Sequence, residues 1–459
     1  MEISSSIPQK YYTVLTEEAP NIDEIKVMLK SIGEIIPDTI SNKNIISNIT
    51  TDKKGNMFKG EWNLKVNNLN INIKLFKGKT SSIDYMLFDD NSKFEHGNAS
   101  NALVILESTK TSDSSSRNTA VNQRIVKFTT YDTMYPESNA IKVMFWCDSI
   151  WNDKLTDTAI MGFRLMDTLD INMYSQHNGN IINMKEKYNI LPFSSCDEII
   201  KFKNSIKQKK GNISIRLSII ENIINISIKL DKGYGKDFGR ISHDPNVGFL
   251  SAILNAFEKL TINPKKYIIK NHNIEQKYFD SNPKSKFWFS INEIDIEFEG
   301  CIIKDRPEIP ERYFTLETEM TEKLATILYD QVLSYETIFS NHGGCALTYI
   351  KGHNDTILSV GQKMPRPDIV FRNDERKEIE IIEGKLEREL SKGIKQLSDT
   401  HLKGFIGLLK QLYPDYTIKK GLCITINSVD CIDKYKNLEF PVKFAIDNEG
   451  FFIHLSQDQ

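Results

Sequence analysis

No stretch of this sequence stays apolar for the roughly 20 residues that a membrane-spanning helix needs. Its first residues, Met1-Glu-Ile-Ser-Ser-Ser-Ile-Pro8, carry neither the charged nor the apolar part of a secretion signal. Cysteine is sparse and scattered: Cys147, Cys196, Cys301, Cys345, Cys423 and Cys431 include no C-x-x-C pair. That argues against a structural zinc site or a disulfide framework and suits a reducing, cytoplasmic compartment. Net charge is almost lacking too, at −2, so no global basic field advertises nucleic acid, and any such surface is a local patch. The glycine-rich stretch from Lys232 to Gly239 lacks the Gly-Lys-Ser/Thr ending of a P-loop and reads as a loop. His243-Asp244, with His272, makes a poor metal pair, because Asp244-Pro245 is enough to explain a helix start. What remains is an ordinary globular composition, 40% hydrophobic and 26% charged over 459 residues, long enough for two or three domains.

Periodicity supplies the elements. Ile22, Ile25, Met28, Leu29, Ile32 and Ile35 fall at helical spacing. Residues 58–76 alternate like two strands, with Asn67-Asn68 between them as a turn. Strands are expected at Ile83–Phe88, Asn101–Glu107 and Ile141–Cys147, and helices at Arg117–Phe128 and Thr156–Leu169. Further strands fall in residues 213–230, and a helix begins after Asp244. An amphipathic helix spans Leu316–Leu333, and a strand-like Ala346–Ile350 follows. The pattern closes with helix through Glu387–Leu412, a strand at Leu422–Ile426 and final strands in Phe440–Leu455.

The stretch Pro365–Lys385 carries the chemistry. Ile369-Val-Phe371 is one short strand, Asn373-Asp-Glu-Arg376 is a polar turn, and Ile379, Ile381 and Ile382 belong to a second strand ending in Glu383-Gly384-Lys385. Side chains alternate faces along a strand, so Glu383 and Lys385 project the same way. A hairpin brings Asp368 back beside them. Two carboxylates can hold Mg²⁺, which takes oxygen ligands and keeps waters. A lysine beside them can orient water and stabilise charge on a phosphate.

The motif Pro367-Asp368 followed by Glu383-Gly384-Lys385 resembles the PD-(D/E)xK nuclease superfamily, which includes most type II restriction endonucleases. The surrounding order is similar to that superfamily's core: a helix with Glu317, Glu319 and Glu322, a strand, the hairpin, a helix and a strand. Gln396, eleven residues after Lys385, falls where many members place a polar residue near the metal.

A second stretch looks like a divergent copy. Asp84 lies on one strand, Glu107 follows the buried-type run Leu103-Val-Ile-Leu106 of the next, and Lys110 comes after it. The spacing is Glu-x-x-Lys, so a bulge at Ser108-Thr109 would be needed to turn Lys110 back toward Glu107. A carboxylate so placed needs a partner or a metal. Arg117, Arg124 and Lys127 lie beyond it, and Arg124 and Lys127, three apart, share a helix face that could grip phosphates.

The resemblance implies a mixed α+β fold, a restriction-endonuclease-like core present in up to two copies around a central mixed sheet flanked by helices. The expected regions are a nuclease-like 1–170, a middle 171–307 suited to DNA recognition, and a nuclease-like 308–459. Expected catalytic residues are Asp368, Glu383 and Lys385, together with Asp84, Glu107 and Lys110. Both acid pairs are candidate Mg²⁺ ligands, and Arg117, Arg124 and Lys127 are candidate DNA contacts. The implied activity is Mg²⁺-dependent cleavage of double-stranded DNA, as a monomer or as a homodimer. Two alternatives stand beside it: a repair or mobile-element nuclease on the same core, and a DNA-binding protein without chemistry.

Overall fold

The computed structural model describes residues 8–16, 18–48, 60–75, 83–89, 99–109, 124–125, 127–129, 131–132, 135–146, 154–177, 180–206, 213–220, 223–230, 245–260, 267–272, 296–299, 318–341, 349–353, 356–361, 364–447 and 452–454. Residues Met1–Pro20, Ser41–Lys77 and Phe314–Gln459 form one compact unit, and Asn21–Ile40 with Gly78–Tyr313 form a second. The first 77 residues are thus shared between the two units. No helix among the described residues is long and apolar enough to cross a membrane.

The first unit begins with β1 (Lys10–Thr16), β2 (Ile46–Ser47), β3 (Glu61–Val66) and β4 (Leu69–Leu75), in the order β2-β3-β4-β1. The β3–β4 hairpin turns through Asn67, whose φ of 53° is one that asparagine tolerates. β1 runs parallel to β4, with Lys10 beside Leu69 and Thr16 beside Leu75.

The second unit opens with helix Ile22–Ser31, capped by Asn21, whose side chain accepts from Asp23 N. Next come β5 (Tyr85–Asp89), β6 (Val104–Thr109), β7 (Ile141–Trp146), helix Asp157–Thr168, β8 (Ile171–His177) and β9 (Asn180–Asn183), the strands lying in that order. β5 and β6 are antiparallel, β6–β7 and β7–β8 parallel, β8–β9 antiparallel. Val104, Ile105, Leu106, Val143, Met144, Phe145 and Trp146 are all fully buried, as central parallel strands require. Helix Cys196–Ser205 leads to β10 (Ile213–Ile220) and β11 (Ile223–Leu230). Helix Pro245–Leu260, with proline at its first position, leads to β12 (Tyr267–His272) and β13 (Ile296–Glu299). This sheet is again one antiparallel pair followed by two parallel pairs.

The rest of the first unit is helix Thr318–Gln331, β14 (Glu336–Ser340), the small pair β15 (Tyr349–Lys351) and β16 (Ile357–Ser359), then β17 (Ile369–Asn373) and β18 (Glu378–Leu386). Helices Leu390–Leu397 and Asp399–Leu412, β19 (Thr417–Ile426), β20 (Val442–Asp447) and β21 (Phe452–His454) complete it. The sheet order is β14-β17-β18-β19-β20-β21. The hairpin β17–β18 is antiparallel, β18–β19 and β19–β20 are parallel, and β20–β21 is antiparallel. Both faces are covered. Helix 318–331 packs Leu324, Ala325, Leu328 and Tyr329 on Ile369, Phe371, Ile382 and Cys423. Leu397, Leu402, Phe405 and Leu409 pack on Val370, Ile379, Ile381, Leu422 and Ile424 from the other side. Mixed sheets flanked by helices match the expected fold class; the finer nuclease-like identity of the core belongs to the functional proposal below.

Candidate active site

β18 is one of the two central strands of the six-stranded C-terminal sheet, and every residue from Ile379 to Lys385 is buried. Isoleucines on such a strand need only neighbours, whereas its charged residues need partners. Glu380 accepts from Tyr329 Oη at 2.6 Å and pairs with Lys443 at 3.3 Å. Glu383, with no exposure, pairs with Lys385 at 2.6 Å. Lys385 also reaches Asp368 Oδ2 at 3.1 Å and donates to Gly384 O at 2.7 Å, which engages all three ammonium donors. Asp368 stands directly before β17, and its Oδ2 accepts Gly384 N at 2.9 Å. The hairpin register, Ile369 opposite Ile382, is what sets Asp368 beside Glu383.

Charge is poorly balanced here. Burial, then the nearby Asp368, push the Glu383 carboxyl far above the usual carboxylate range, against the pull of Lys385. Burial opposes the charge on Lys385, but Glu383 and Asp368 outweigh it and hold the ammonium above its ordinary range. Glu383 Oε2 is buried without a hydrogen-bond partner.

Two glycines let helices approach this centre. A Cβ on Gly384 would stand 2.5 Å from both Cγ and Oε1 of Glu322, on helix 318–331. A Cβ on Gly393, in helix 390–397, would stand 2.7 Å from Lys385 Cγ. Glu322 is itself buried and lies on its helix's apolar stripe, three residues before Ala325 and seven before Tyr329. Cys423, paired with Gly384 across β18–β19, has its thiol pushed well up by burial, then by Glu322 and Asp368. Gln396, three residues beyond Gly393 on the same helix face, has a buried Oε1 without a hydrogen-bond partner.

The N-terminal stretch builds a second centre on β5 and β6. Glu107 is fully buried, and its Oε1 takes ion pairs from both Arg124 and Lys127. Each cation also lies 3.8 Å from Asp84. Asp84 Oδ2 accepts Ser108 N at 2.8 Å, and Ser108 Oγ donates to Glu24 Oε1 at 2.9 Å. The sequence therefore located Asp84 and Glu107 together, and the partner that a buried Glu107 demands is present. Arg124 and Lys127, read as phosphate contacts, are turned onto these carboxylates. Lys110 and Arg117 lie outside the described residues. β6 pairs with β7 in unbroken register from Val104 through Thr109, so no bulge occurs at Ser108-Thr109. The regular parallel ladder to Ile141–Trp146 holds those residues in the pleat.

Sequence reasoning missed Glu24 altogether and left Glu322 as one acid among three. Their shared signal is an acid on an apolar helical stripe: Glu24 lies four residues before Met28 and is buried. Among the described residues, no three His, Cys, Asp or Glu side chains converge into a metal cage. Asp368 and Glu383 form a two-carboxylate donor set instead, with one buried oxygen unpartnered, which is the number of protein ligands Mg²⁺ commonly takes when it keeps waters and binds phosphate. Compared with family models, curated proteins and solved structures, the chain gave no match.

Proposed function

We propose that this chain is a Mg²⁺-dependent endonuclease acting on double-stranded DNA, of the PD-(D/E)xK superfamily and similar to type II restriction enzymes, with Asp368, Glu383 and Lys385 as a working centre. One observation carries the reading: Lys385 bridges Asp368 and Glu383 at the end of a buried central strand. A purely structural ion pair gains little from such a place, because burying two acids against one base is costly. A site that must gather a cation and a phosphate gains from it.

Asp368 and Glu383 would hold the metal, which when bound lowers the pKa of a coordinated water and offsets phosphate charge. Gly384 N fixes the Asp368 carboxylate through Oδ2. Lys385 holds its positive charge, so it can stabilise the negative charge that grows on the phosphate as water attacks. Helix 390–397 packs on the lysine's stem through Gly393 and limits its rotamers.

The test is supercoiled plasmid with Mg²⁺ and excess protein. Wild type should yield linear DNA. Asp368→Asn and Lys385→Ala should each lose conversion to the linear form, with Lys385→Ala slowing its step by roughly 10²–10³-fold, the range for one positioned electrostatic stabiliser. Duplex binding in Ca²⁺ should persist in both. Wild-type linearisation rates in both variants would refute the assignment.

A further inference from the structure

The two centres share one construction. In each, an acid directly precedes the first strand of an antiparallel hairpin: Asp84 before β5, Asp368 before β17. In each, the first residue of that strand pairs with the residue just before the second acid, Tyr85 with Leu106 and Ile369 with Ile382. The next backbone N–H after that second acid then donates to the first acid, Ser108 N to Asp84 at 2.8 Å and Gly384 N to Asp368 at 2.9 Å. The same position meets a buried helical glutamate, Glu24 through the Ser108 hydroxyl and Glu322 against Gly384. The strand that follows is parallel in both sheets, as is the next.

They part at one position. Where the C-terminal strand has Lys385, the N-terminal strand has Thr109, which carries no charge. The cations arrive instead from the helical residues after β6. Lys127 ion-pairs with Glu107 and lies 3.8 Å from Asp84, as Lys385 contacts Glu383 and Asp368. Arg124 adds a second positive charge to Glu107. Glu107 Oε2 remains buried without a hydrogen-bond partner, as does Glu383 Oε2.

We infer that Asp84, Glu107 and Lys127 form a second phosphodiester-hydrolysing centre, in which Lys127 does from a helix what Lys385 does from the strand, so that one chain carries a centre for each DNA strand. The inference rests on the nuclease reading above. At this centre a water oxygen bonds to phosphorus and the bond from phosphorus to the leaving sugar oxygen breaks. The hydrogens of water end on the new phosphate and on the leaving hydroxyl. Lys127 is the catalytic cation because its ammonium is a compact point charge set on Glu107 and facing Asp84, as the Lys385 ammonium is set on Glu383 and Asp368. Arg124, with its planar guanidinium on Glu107, is a positioning residue that holds that carboxylate.

The experiment compares wild type, Lys127→Arg, Asp368→Asn and the double variant on supercoiled plasmid in Mg²⁺. Wild type should give linear DNA, each single variant should stop at the nicked circle, and the double variant should leave plasmid supercoiled. Lys127→Arg keeps the ion pair to Glu107, so a structural lysine would leave linearisation unchanged; the inference expects the second nick to slow by roughly 10²-fold, because a planar guanidinium does not set its charge where the compact ammonium stood. Linearisation by Lys127→Arg at the wild-type rate overturns it. So does Asp368→Asn that leaves the plasmid supercoiled, because that outcome leaves one working centre. A wild type that cuts neither strand overturns the nuclease reading and this inference with it. Should Lys127→Arg fold poorly, the near-isosteric Glu107→Gln reads the same centre: nicked circles support the inference and linear DNA overturns it.

Discussion

The C-terminal centre balances two buried acids with a single lysine from its own strand, while the N-terminal centre sets two cations from a neighbouring segment on Glu107. The supporting geometry is otherwise the same. The lesson concerns where charge can be stored. A cation built into the strand is placed by the sheet itself and lies nearly out of solvent, with 8% of the Lys385 side chain exposed. The helical cations keep 22% and 21% exposed. Embedding gives tighter positioning. Borrowing from a helix gives redundancy, because removing either cation leaves the other.

The largest expected contrast is in stability without metal. Lys385→Met leaves Glu383 and Asp368 facing each other in a buried place with no cation between them. Breaking a buried pair in this way costs about 3–5 kcal/mol. Lys127→Met removes a partly solvated ammonium and leaves Arg124 paired with the buried Glu107, so its cost should be clearly the smaller of the two. Urea unfolding of both variants in chelator gives the two values. Equal losses would break the comparison and show that redundancy at Glu107 is not felt.

A smaller contrast lies at the position after the strand glutamate. Gly384→Ala must displace Glu322 or shift helix 318–331, because 2.5 Å is closer than real Cβ atoms approach. Overpacking of this kind costs about 1–3 kcal/mol. Ser108→Ala at the equivalent place only deletes the hydroxyl that donates to Glu24, a loss of about 1 kcal/mol. Melting temperatures should order as wild type, Ser108→Ala, Gly384→Ala. The reverse order would mean that Glu322 moves aside freely.

Part of this arrangement was legible in the sequence. The hairpin was, because Ile369-Val-Phe371 and Ile379–Ile382 flank a turn whose Asn373 side chain indeed accepts Arg376 N at 2.9 Å. Asp84 beside Glu107 was legible for the same reason: short strands fix register, and register places acids. The helical glutamates were not, because a helix states only which of its faces is apolar. Which sheet residue Glu24 or Glu322 meets is set by packing between distant segments. The inward turn of Arg124 and Lys127 was hidden likewise; a shared helix face has two possible neighbours, solvent and site, and spacing does not choose between them. The division of the first 77 residues was illegible because β1 and β4 pair in parallel across more than fifty residues of chain. Non-local parallel pairing leaves no local pattern.

The smallest expected effect separates the units by their response to acid. In the second unit, Glu198 is held down to about 2 by Ser194 N first and by Arg164, whose guanidinium also lies over the Phe193 ring at 4.0 Å. In the first unit, burial raises the Glu378 carboxyl, but hydrogen bonds from Lys419 and Tyr335 outweigh it and lower it below the ordinary value. A carboxyl whose folded pKa is depressed contributes stability that is present above its unfolded pKa and lost as pH falls through the folded one. For Glu198 that window runs from the ordinary glutamate range down to about 2. Glu198→Gln should therefore melt below wild type at neutral pH, with the two curves converging as pH approaches the bottom of the window. The gap should be modest, because 37% of the Glu198 side chain faces water, which screens the pair with Arg164. Glu378→Gln should close its gap at higher pH than Glu198→Gln, since Glu378 is less strongly depressed. Melting curves of the two variants across an acid series measure both. Convergence at the same pH would show that the carboxyls of the two units feel acid alike and that the contrast between the units is confined to their charged centres.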